Sequence, residues 1–573
     1  MEEWDIGPTS AHLRKELRLK KGGDLFEKQG EVSTDLVEKS EFWNKLDLSP
    51  YLLSTALDGV QFQLLRRPRA GRWENYVPLE NERAVDEKWE KWKKKGVLEK
   101  GETLLVMALG TVPKKNGKIR VIHDCRPINR LTPDMPFSLD GIGEVAKFLK
   151  RGDWMCKLDL EDGYEHVAIR EDCRRYFGAC WRGEILRFAR LGFGFKLSPV
   201  LFQQLMEAIV RKVNEELVVL KIEAGAFVYL DDFLIRGPSE EKCKEALSLL
   251  MMWLERLGLK INMEKSVLDP CQEMEYLGKV WDTQLGKVFN GGERTKAMIA
   301  DCITFLQMES IGLRELESFL GRLEWFARTL KLARCWKRSL MMELRAWKDR
   351  VRMVGLGVRG SGYSGRLTEH ERNRKPFRGA GFFGKLSPAS RRELKWWRDH
   401  GADWMAMDFA EVWSSRIKDI HVDASSYGYG SDNGLWGLWK AEEKGWNIAL
   451  KEMEVLRRQV SKLPNGSKIW IGTDNSVVFW SWRRGRSFCW DINNLIRRIG
   501  GDIHARDLDV EVYWVPTWAN RADEASRSWR RKGEETFQEE AKEAADTFLG
   551  PWEQIWERSG NWEPGKFRRN FGE

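Results

Sequence analysis

Seven carboxylates in this chain fall into two groups. Asp159 is followed about seventy residues later by the adjacent pair Asp231 and Asp232, and far downstream stand Asp423, Glu452, Asp474 and Asp523. Carboxylate oxygens are hard ligands that suit Mg²⁺. Two such ions about 4 Å apart can activate an attacking oxygen and stabilise a leaving one at a phosphodiester. Each group has enough oxygens to hold two Mg²⁺, with Mn²⁺ as a substitute. The first set suits nucleotide addition to a primer 3′ hydroxyl, and the second suits strand hydrolysis. Taken singly, each acid has a plainer reading: an Asp pair is a common turn signal, and a lone acid is an ordinary surface charge.

The elements around these acids decide between the readings. WMCKLDL at 154–160 reads as a strand with Asp159 near its end, and FVYLDDFLIRG at 227–237 reads as a hairpin with both aspartates at its turn. Helices are expected over 199–218 and 240–257, the second stopped by Gly258, and over 294–308, 313–330 and 333–347. A Trp- and Lys-rich helix is expected over 85–100, ended by Gly101. It is followed by an extended segment at 104–112, a PKKNG turn and a returning strand at 118–124. Asp423 lies in the strand-like HVDAS, Glu452 in the helical KEMEVLRRQV, Asp474 at the end of KIWIGTD, and Asp523 near a helix start. His421, two residues before Asp423, reads as a strand-edge residue rather than a base. Ser-Pro-Ala-Ser opens a helix at 387–400, and another is expected at 532–547. Residues 355–381, rich in Gly and Arg, read as a linker.

Composition narrows the class. At 573 residues the chain needs several cores. A formal charge of +9 favours a polyanionic partner. The nine cysteines contain no CxxC pair, which argues against a zinc ribbon and a disulfide framework. No signal-like start or long apolar run is seen, so no membrane partner is expected. The expected setting is intracellular, cytoplasmic or nuclear.

Over about residues 80–345 the chain resembles the reverse transcriptases of retroelements. The resemblance rests on KLDLEDGY at 157–164, LGFGFKLSPVLFQQLM at 191–206, YLDD at 229–232, GLKINMEKS at 258–266 and EYLGKV at 275–280. It implies that Asp159, Asp231 and Asp232 hold the metals. It places Tyr164 as a steric gate against a ribose 2′ hydroxyl and Phe193 against the incoming nucleotide. Lys118 and Arg120 would meet triphosphate oxygens, and Leu277 and Gly278 would grip the primer end. Asp124, Arg126 and Asn129 resemble structural or template-side residues. Gly192 and Gly163 depart from the family's usual Pro and Ala.

Over about residues 417–530 the chain resembles retroelement ribonuclease H domains, on DASSYGYG at 423–430, EMEV at 452–455, TDNS at 473–476 and VPTWANRADEASR at 515–527. This implies metal roles for Asp423, Glu452, Asp474 and Asp523, and orienting or substrate-side roles for Asn520 and Arg521. Trp518 stands where some members carry a His. Segments 318–336 and 393–397 are similar to tyrosine-recombinase-type retrotransposons, with long-terminal-repeat (gypsy-type) elements as the rival.

Together the resemblances imply a multidomain α/β chain: a right-hand polymerase of fingers, palm and thumb, plus a connector and a ribonuclease H-like domain. The expected division is an N-terminal extension at 1–75, fingers at 76–134 and 165–198, palm at 135–164 and 199–284, and a helical thumb at 285–350. A linker or connector follows at 351–416, then ribonuclease H at 417–530 and a tail at 531–573. The implied partners are an RNA template, a DNA primer, RNA–DNA hybrid and deoxynucleoside triphosphates. A homodimer or a partner subunit is compatible with the fold. A duplex needs a basic track, for which the candidates are Lys114, Lys115, the stretch 328–345, Arg372, Arg374, Lys375, Arg378, Arg483, Arg484 and Arg486. The competing readings are a domesticated host reverse transcriptase and a nucleic-acid-binding subunit that has lost its chemistry.

Overall fold

The computed structural model describes residues 40–113, 119–137, 139, 141–355, 382–409 and 418–527. Contacts divide the chain into two compact units, Met1–Lys287 and Val288–Glu573.

In the first unit, helix α1 (Glu82–Lys94) buries Val85, Trp89 and Trp92, a three- and four-residue spacing that lines one face. It stops earlier than the sequence suggests, because Gly96 takes φ +64°. The next residues form a short strand, Leu98–Glu99, paired with Phe188 and Arg187. The extended stretch at 104–112 is also split. Leu105–Met107 runs parallel to Gly178–Trp181, whereas β1 (Leu109–Pro113) pairs antiparallel with β2 (Ile119–His123).

The centre of this unit is an antiparallel sheet of β3 (Trp154–Asp159), β4 (Gly225–Tyr229), β5 (Asp232–Gly237) and β6 (Val267–Cys271), in the order β6-β3-β5-β4. Helices α2 (Ser198–Val219) and α3 (Glu240–Arg256) pack on it through residues such as Phe202, Leu205, Leu247 and Leu250, which share one core with Leu158, Phe233 and Ile235. Ser239 caps α3 by accepting from the Lys242 amide at 3.3 Å, and Gly258 at φ +78° ends it. Strands β7 (Glu273–Tyr276) and β8 (Lys279–Asp282) form a hairpin. Trp43, within the stretch expected to be an N-terminal extension, is fully buried in the core, and its indole donates to the Leu257 carbonyl at 3.3 Å.

The second unit opens with helices α4 (Gly292–Gln307), α5 (Leu313–Ala327), α6 (Arg338–Gly355) and α7 (Pro388–His400). Ser387 caps α7. The helix expected over 333–347 is broken: Leu332 takes φ +57° and Ala333–Lys337 is a 3-10 turn before α6 begins. A five-stranded sheet follows, built from β9 (Lys418–Ala424), β10 (Gly428–Ser431), β11 (Trp436–Leu438), β12 (Lys468–Thr473) and β13 (Asp509–Trp514) in the order β11-β10-β9-β12-β13. β9, β12 and β13 are parallel, and β10 and β11 extend the sheet antiparallel. Helices α8 (Ile448–Lys462), α9 (Ser476–Arg484), α10 (Trp490–Ala505) and the short α11 (Asp523–Arg527) complete the fold.

Leu332 and Cys335, from the turn before α6, sit in the same core as Ile496 and Ile499 of α10. The Cys335 carbonyl accepts from Asn493 and Arg497, both at 2.9 Å. Glu393 of α7 is 1% exposed; it accepts from the Ser339 and Leu340 amides at the start of α6 and pairs with Arg497. No helix among the described residues is long and apolar enough to cross a membrane.

Candidate active sites

Sheet register assembles the first carboxylate group. Asp232 lies directly opposite Asp159 on neighbouring antiparallel strands, and Asp231 sits beside it in the two-residue turn between β4 and β5. The turn places Leu230 at φ +55°, a conformation costly for a branched side chain. The buried Gln203 of α2 supports it by accepting from the Leu230 amide at 2.6 Å and donating to the Val228 carbonyl at 3.2 Å. The Asp159 backbone is clamped from both sides: Ser266 Oγ holds its amide at 3.1 Å, and the Asn262 amide donates to its carbonyl at 2.7 Å. The Tyr276 hydroxyl donates to the Asp232 carbonyl at 2.8 Å.

Like charges here are balanced by built-in cations. Lys265 reaches Asp159 Oδ2 at 3.0 Å. Burial pushes the Asp232 carboxyl up to about 6, and Asp231 and Asp159 add to the rise, while Lys157 and Lys265 oppose it. Asp231 is also raised by burial and by Asp159, with its own backbone amide, Lys265 and Arg120 pulling the other way.

Beside the acids lies an aromatic floor. The Tyr164 ring meets Phe193 edge-on at 5.1 Å and Phe202 at 5.3 Å. Phe193 is 48% exposed, and the Arg120 guanidinium lies over it at 4.8 Å. Gly163 sits close to its neighbours: a β-carbon there would fall 3.1 Å from Phe202 Cζ and 3.2 Å from Asp231 Cβ, so an alanine would need them to give by a few tenths of an ångström. Gly192 has no such constraint, since an added β-carbon meets nothing within 4 Å. His166, lowered to about 4 by burial, donates from Nδ1 to the Gly163 carbonyl and accepts the Lys260 amide at Nε2, both at 3.1 Å. Leu277 and Gly278, at φ +48° and +70°, form the two-residue turn of the β7–β8 hairpin.

The second group draws on separate elements: Asp423 from β9, Glu452 from α8, Asp474 just after β12 and Asp523 at the start of α11. Asp423, Glu452 and Asp474 can each bring an oxygen within 4.8 Å of the others, a convergence found for no other group of three acids, histidines or cysteines among the described residues. Asp523 stands outside that trio, paired with Arg527 at 2.7 Å. Its carboxyl is raised by burial, opposed by Arg527 and reinforced by Asp474. Burial lifts Asp423 to about 6, with Ser526 opposing and Asp474 and Asp523 adding. Glu452 is raised well above the usual range by burial and by Asp423 and Asp474. Its Oε1 accepts the Ala424 amide at 3.1 Å, whereas its Oε2 is buried without a hydrogen-bond partner. Three converging carboxylates with an unmatched buried oxygen fit a divalent cation.

Residues 112–280 match the sequence model of the family described as "Reverse transcriptase (RNA-dependent DNA polymerase)". That span contains Asp159, Asp231 and Asp232. The chain carries a reverse transcriptase domain of the retroviral and retroelement type. The Gag-Pro-Pol polyprotein of Human T-cell leukemia virus 2 is 26% identical to it over 251 residues, covering 42% of this chain and 16% of the polyprotein. The Gag-Pol polyprotein of Woolly monkey sarcoma virus is 30% identical over 171 residues, 28% of this chain and 10% of that one. The Transposon Tf2-7 polyprotein of Schizosaccharomyces pombe is 24% identical over 206 residues, 36% of this chain and 15% of that one. The matched segments thus span about a sixth or less of these relatives. Among solved structures, a foamy viral protease-reverse transcriptase in complex with double-stranded DNA aligns over 84% of this chain and 81% of that chain, at 15% identity and a TM-score of 0.49.

The remaining sequence candidates are placed unevenly around the reverse transcriptase domain and beyond it. Lys118, Lys114, Lys115 and the 372–378 basic residues lie outside the described residues, as do the linker at 356–381 and the helix expected at 532–547. Asn129 is structural: it donates to the Gly194 carbonyl at 2.7 Å and accepts from the Lys196 amide at 2.9 Å. Arg126 grips Asp124. Arg483 and Arg484 are exposed on α9 next to Phe479 and Trp480.

Part of the expected basic track is turned inward. Lys337 is 2% exposed against Glu324, Arg334 also pairs with Glu324, and Lys331 reaches Glu511 at 3.2 Å. Arg486 is partly buried with Glu324 at 3.8 Å. Asn520 donates to Asp423 Oδ1 at 3.3 Å, which orients that acid. Arg521 is engaged by Asp419 and Asp432.

His421 is corrected: it lies on the central strand, 1% exposed, not at an edge. The Arg521 amide donates to its Nδ1 at 3.0 Å, so Nε2 faces the Tyr513 hydroxyl at 2.8 Å. Gln203 and Trp514 were given no role by sequence. The Trp514 indole donates to the Asp474 carbonyl at 3.0 Å.

Proposed function

We propose that this chain is an RNA-directed DNA polymerase that extends a DNA primer with deoxynucleoside triphosphates on an RNA or DNA template, and that it also hydrolyses the RNA strand of RNA–DNA hybrids, in the replication of a retroelement. The observation that carries the polymerase reading is the opposition of Asp159 and Asp232, with Asp231 at the adjoining turn, inside the span that matches the reverse transcriptase family. The converging trio of Asp423, Glu452 and Asp474 supports the nuclease reading. Segments 318–336 and 393–397 favour a tyrosine-recombinase-type element over a long-terminal-repeat one.

Asp159, Asp231 and Asp232 would hold two Mg²⁺ in the first site, and Asp423, Glu452, Asp474 and Asp523 two in the second. When bound, such ions supply Lewis acidity and lower the pKa of the attacking hydroxyl or water. The chain's own residues do the rest. The Ser266 and Asn262 clamps fix the Asp159 backbone, and Gln203 fixes the turn bearing Asp231. Arg120 can swing from the Phe193 face to a triphosphate, neutralising charge on the leaving pyrophosphate. The Tyr164 ring, locked between Phe193 and Phe202, fills the space a 2′ hydroxyl would need. In the second site Asn520 and Ser526 orient Asp423, and Trp514 holds the Asp474 backbone.

Primer extension on an RNA template with Mg²⁺ or Mn²⁺, followed by mapping of the RNA fragments, tests both halves. Asp231→Asn should abolish extension and leave hybrid cleavage, and Asp474→Asn should do the reverse. Retention of both activities by both variants would refute the assignment.

A further inference from the structure

We propose that His421 and Arg521 are positioning residues that deliver Asp523 to the cation site of the second unit. This rests on the reading of that centre as one that binds divalent metal. Asp423, Glu452 and Asp474 converge, but Asp523 stands outside that trio. It follows the 3-10 turn Thr517–Ala519 and lies in no strand, so sheet register does not place it. Something else must hold its loop against β9.

Strand alternation puts Asp419, His421 and Asp423 on one face of β9. Register sets His421, Gly472 and Tyr513 in one row across β9, β12 and β13. Gly472 leaves room for two rings to meet above it: a β-carbon there would fall 2.9 Å from both His421 Cδ2 and Tyr513 Cζ. The hydrogen bonds then close a ring. His421 Nδ1 accepts the Arg521 amide at 3.0 Å, so Nε2 carries the proton and donates to the Tyr513 hydroxyl at 2.8 Å. That hydroxyl donates to Asp419 Oδ2 at 2.9 Å, and the Arg521 guanidinium reaches the same oxygen at 3.0 Å. The guanidinium also meets Asp432 Oδ2 at 2.8 Å, and Asp432 Oδ1 accepts the His421 amide at 2.9 Å. Arg521 is thus gripped by backbone and side chain together. A guanidinium engaged by two carboxylates holds the loop rather than a phosphate. The grip passes along the chain: Asn520 donates to Asp423 Oδ1 at 3.3 Å, and the Asp523 amide donates to the Asn520 carbonyl at 3.1 Å.

Mn²⁺ binding, followed by electron paramagnetic resonance, tests this without any cleavage assay. The full chain carries Asp231→Asn and Asp232→Asn, which disarm the first centre. Asp523→Asn should weaken Mn²⁺ binding about tenfold, and His421→Leu and Arg521→Met should each reproduce most of that loss. His421→Asn should keep near-parental affinity, because its Oδ1 stands where Nδ1 accepts the Arg521 amide, whereas leucine has a similar shape and no acceptor. In the Asp523→Asn background, His421→Leu should add less than about twofold, since its effect runs through Asp523. Arg521 is partly exposed, so Arg521→Met keeps the test valid if His421→Leu fails to fold. Parental affinity in both His421→Leu and Arg521→Met, no advantage of His421→Asn over His421→Leu, or losses that add to that of Asp523→Asn would each overturn the positioning role. An Asp523→Asn chain that binds like its parent would overturn it too. If Asp474→Asn also left Mn²⁺ binding unchanged, the metal reading of the centre would fall with it; a loss in Asp474→Asn alone would leave that reading standing.

Discussion

The two acidic centres handle the same electrostatic problem in opposite ways. In the first unit the three aspartates sit on neighbouring antiparallel strands and one turn, and Lys265, Lys157 and Arg120 supply positive charge within reach. In the second unit the acids come from four separate elements. The nearest cation, Arg527, is spent on Asp523, and Glu452 keeps a buried oxygen with no partner. The first centre is therefore partly neutralised by its own residues, while the second relies on protons or on a cation from solution. The contrast teaches that clustered carboxylates can be held by very different local charge balances.

The largest test of that contrast is separation of activities. Asp159→Asn is expected to lower primer extension roughly 10³-fold with hybrid cleavage within about twofold, and Glu452→Gln to do the converse, both read in paired extension and cleavage assays. Next, Glu452→Gln should stabilise the metal-free protein at pH 8, because it removes a buried carboxyl whose charged form is disfavoured by burial and by Asp423 and Asp474. The melting temperature of the second unit should rise by about 2–4 °C for each kcal/mol relieved, and a fall would break the account.

Metal-free stability should also depend on pH. Asp232 and Asp423 have folded-state pKa values near 6, above the unfolded 3.8. The folded chain then binds more protons than the unfolded one between those values, so stability falls as pH rises through that window. For the 5%-exposed Asp423 the loss is about 3 kcal/mol at most. Calorimetry in EDTA from pH 4 to pH 7 checks the direction, and added Mg²⁺ should restore stability at pH 7 but not at pH 4. The smallest effect is expected from Lys265→Met: with one cation gone, Asp231 and Asp232 rise further, and the acid limb of the extension rate should move up by about one pH unit. The cleavage profile should not move.

Much of both centres was legible because local patterns carried it. The β-branched and aromatic run around Asp231 and Asp232 dictates a hairpin, and observed strands over Gly225–Tyr229 and Asp232–Gly237 agree with it. The end of α1 was misplaced because Gly96 and Gly101 are both plausible stops in sequence, and only the pairing of Leu98–Glu99 with Phe188 and Arg187 selects the first. The inward turn of Lys337 and Lys331 was illegible for a different reason: the acids that hold them, Glu324 and Glu511, come from other elements, and basic residues at helical spacing look the same whether they face water or a distant carboxylate. Gln203 stood inside a quoted motif, yet its role depends on a turn some twenty-seven residues away.

Leu332 and Cys335 have a bearing on inheritance. They fill a hydrophobic space shared with Ile496 and Ile499, and the Cys335 carbonyl is grasped by Asn493 and Arg497. A crossover between diverged elements that fell between residues 338 and 417 would join a plug from one parent to a socket from the other. Such hybrids should be purged, so lineages should exchange the stretch from about residue 330 to residue 527 as one block, and a fragment started at residue 418 should expose an oily scar and precipitate.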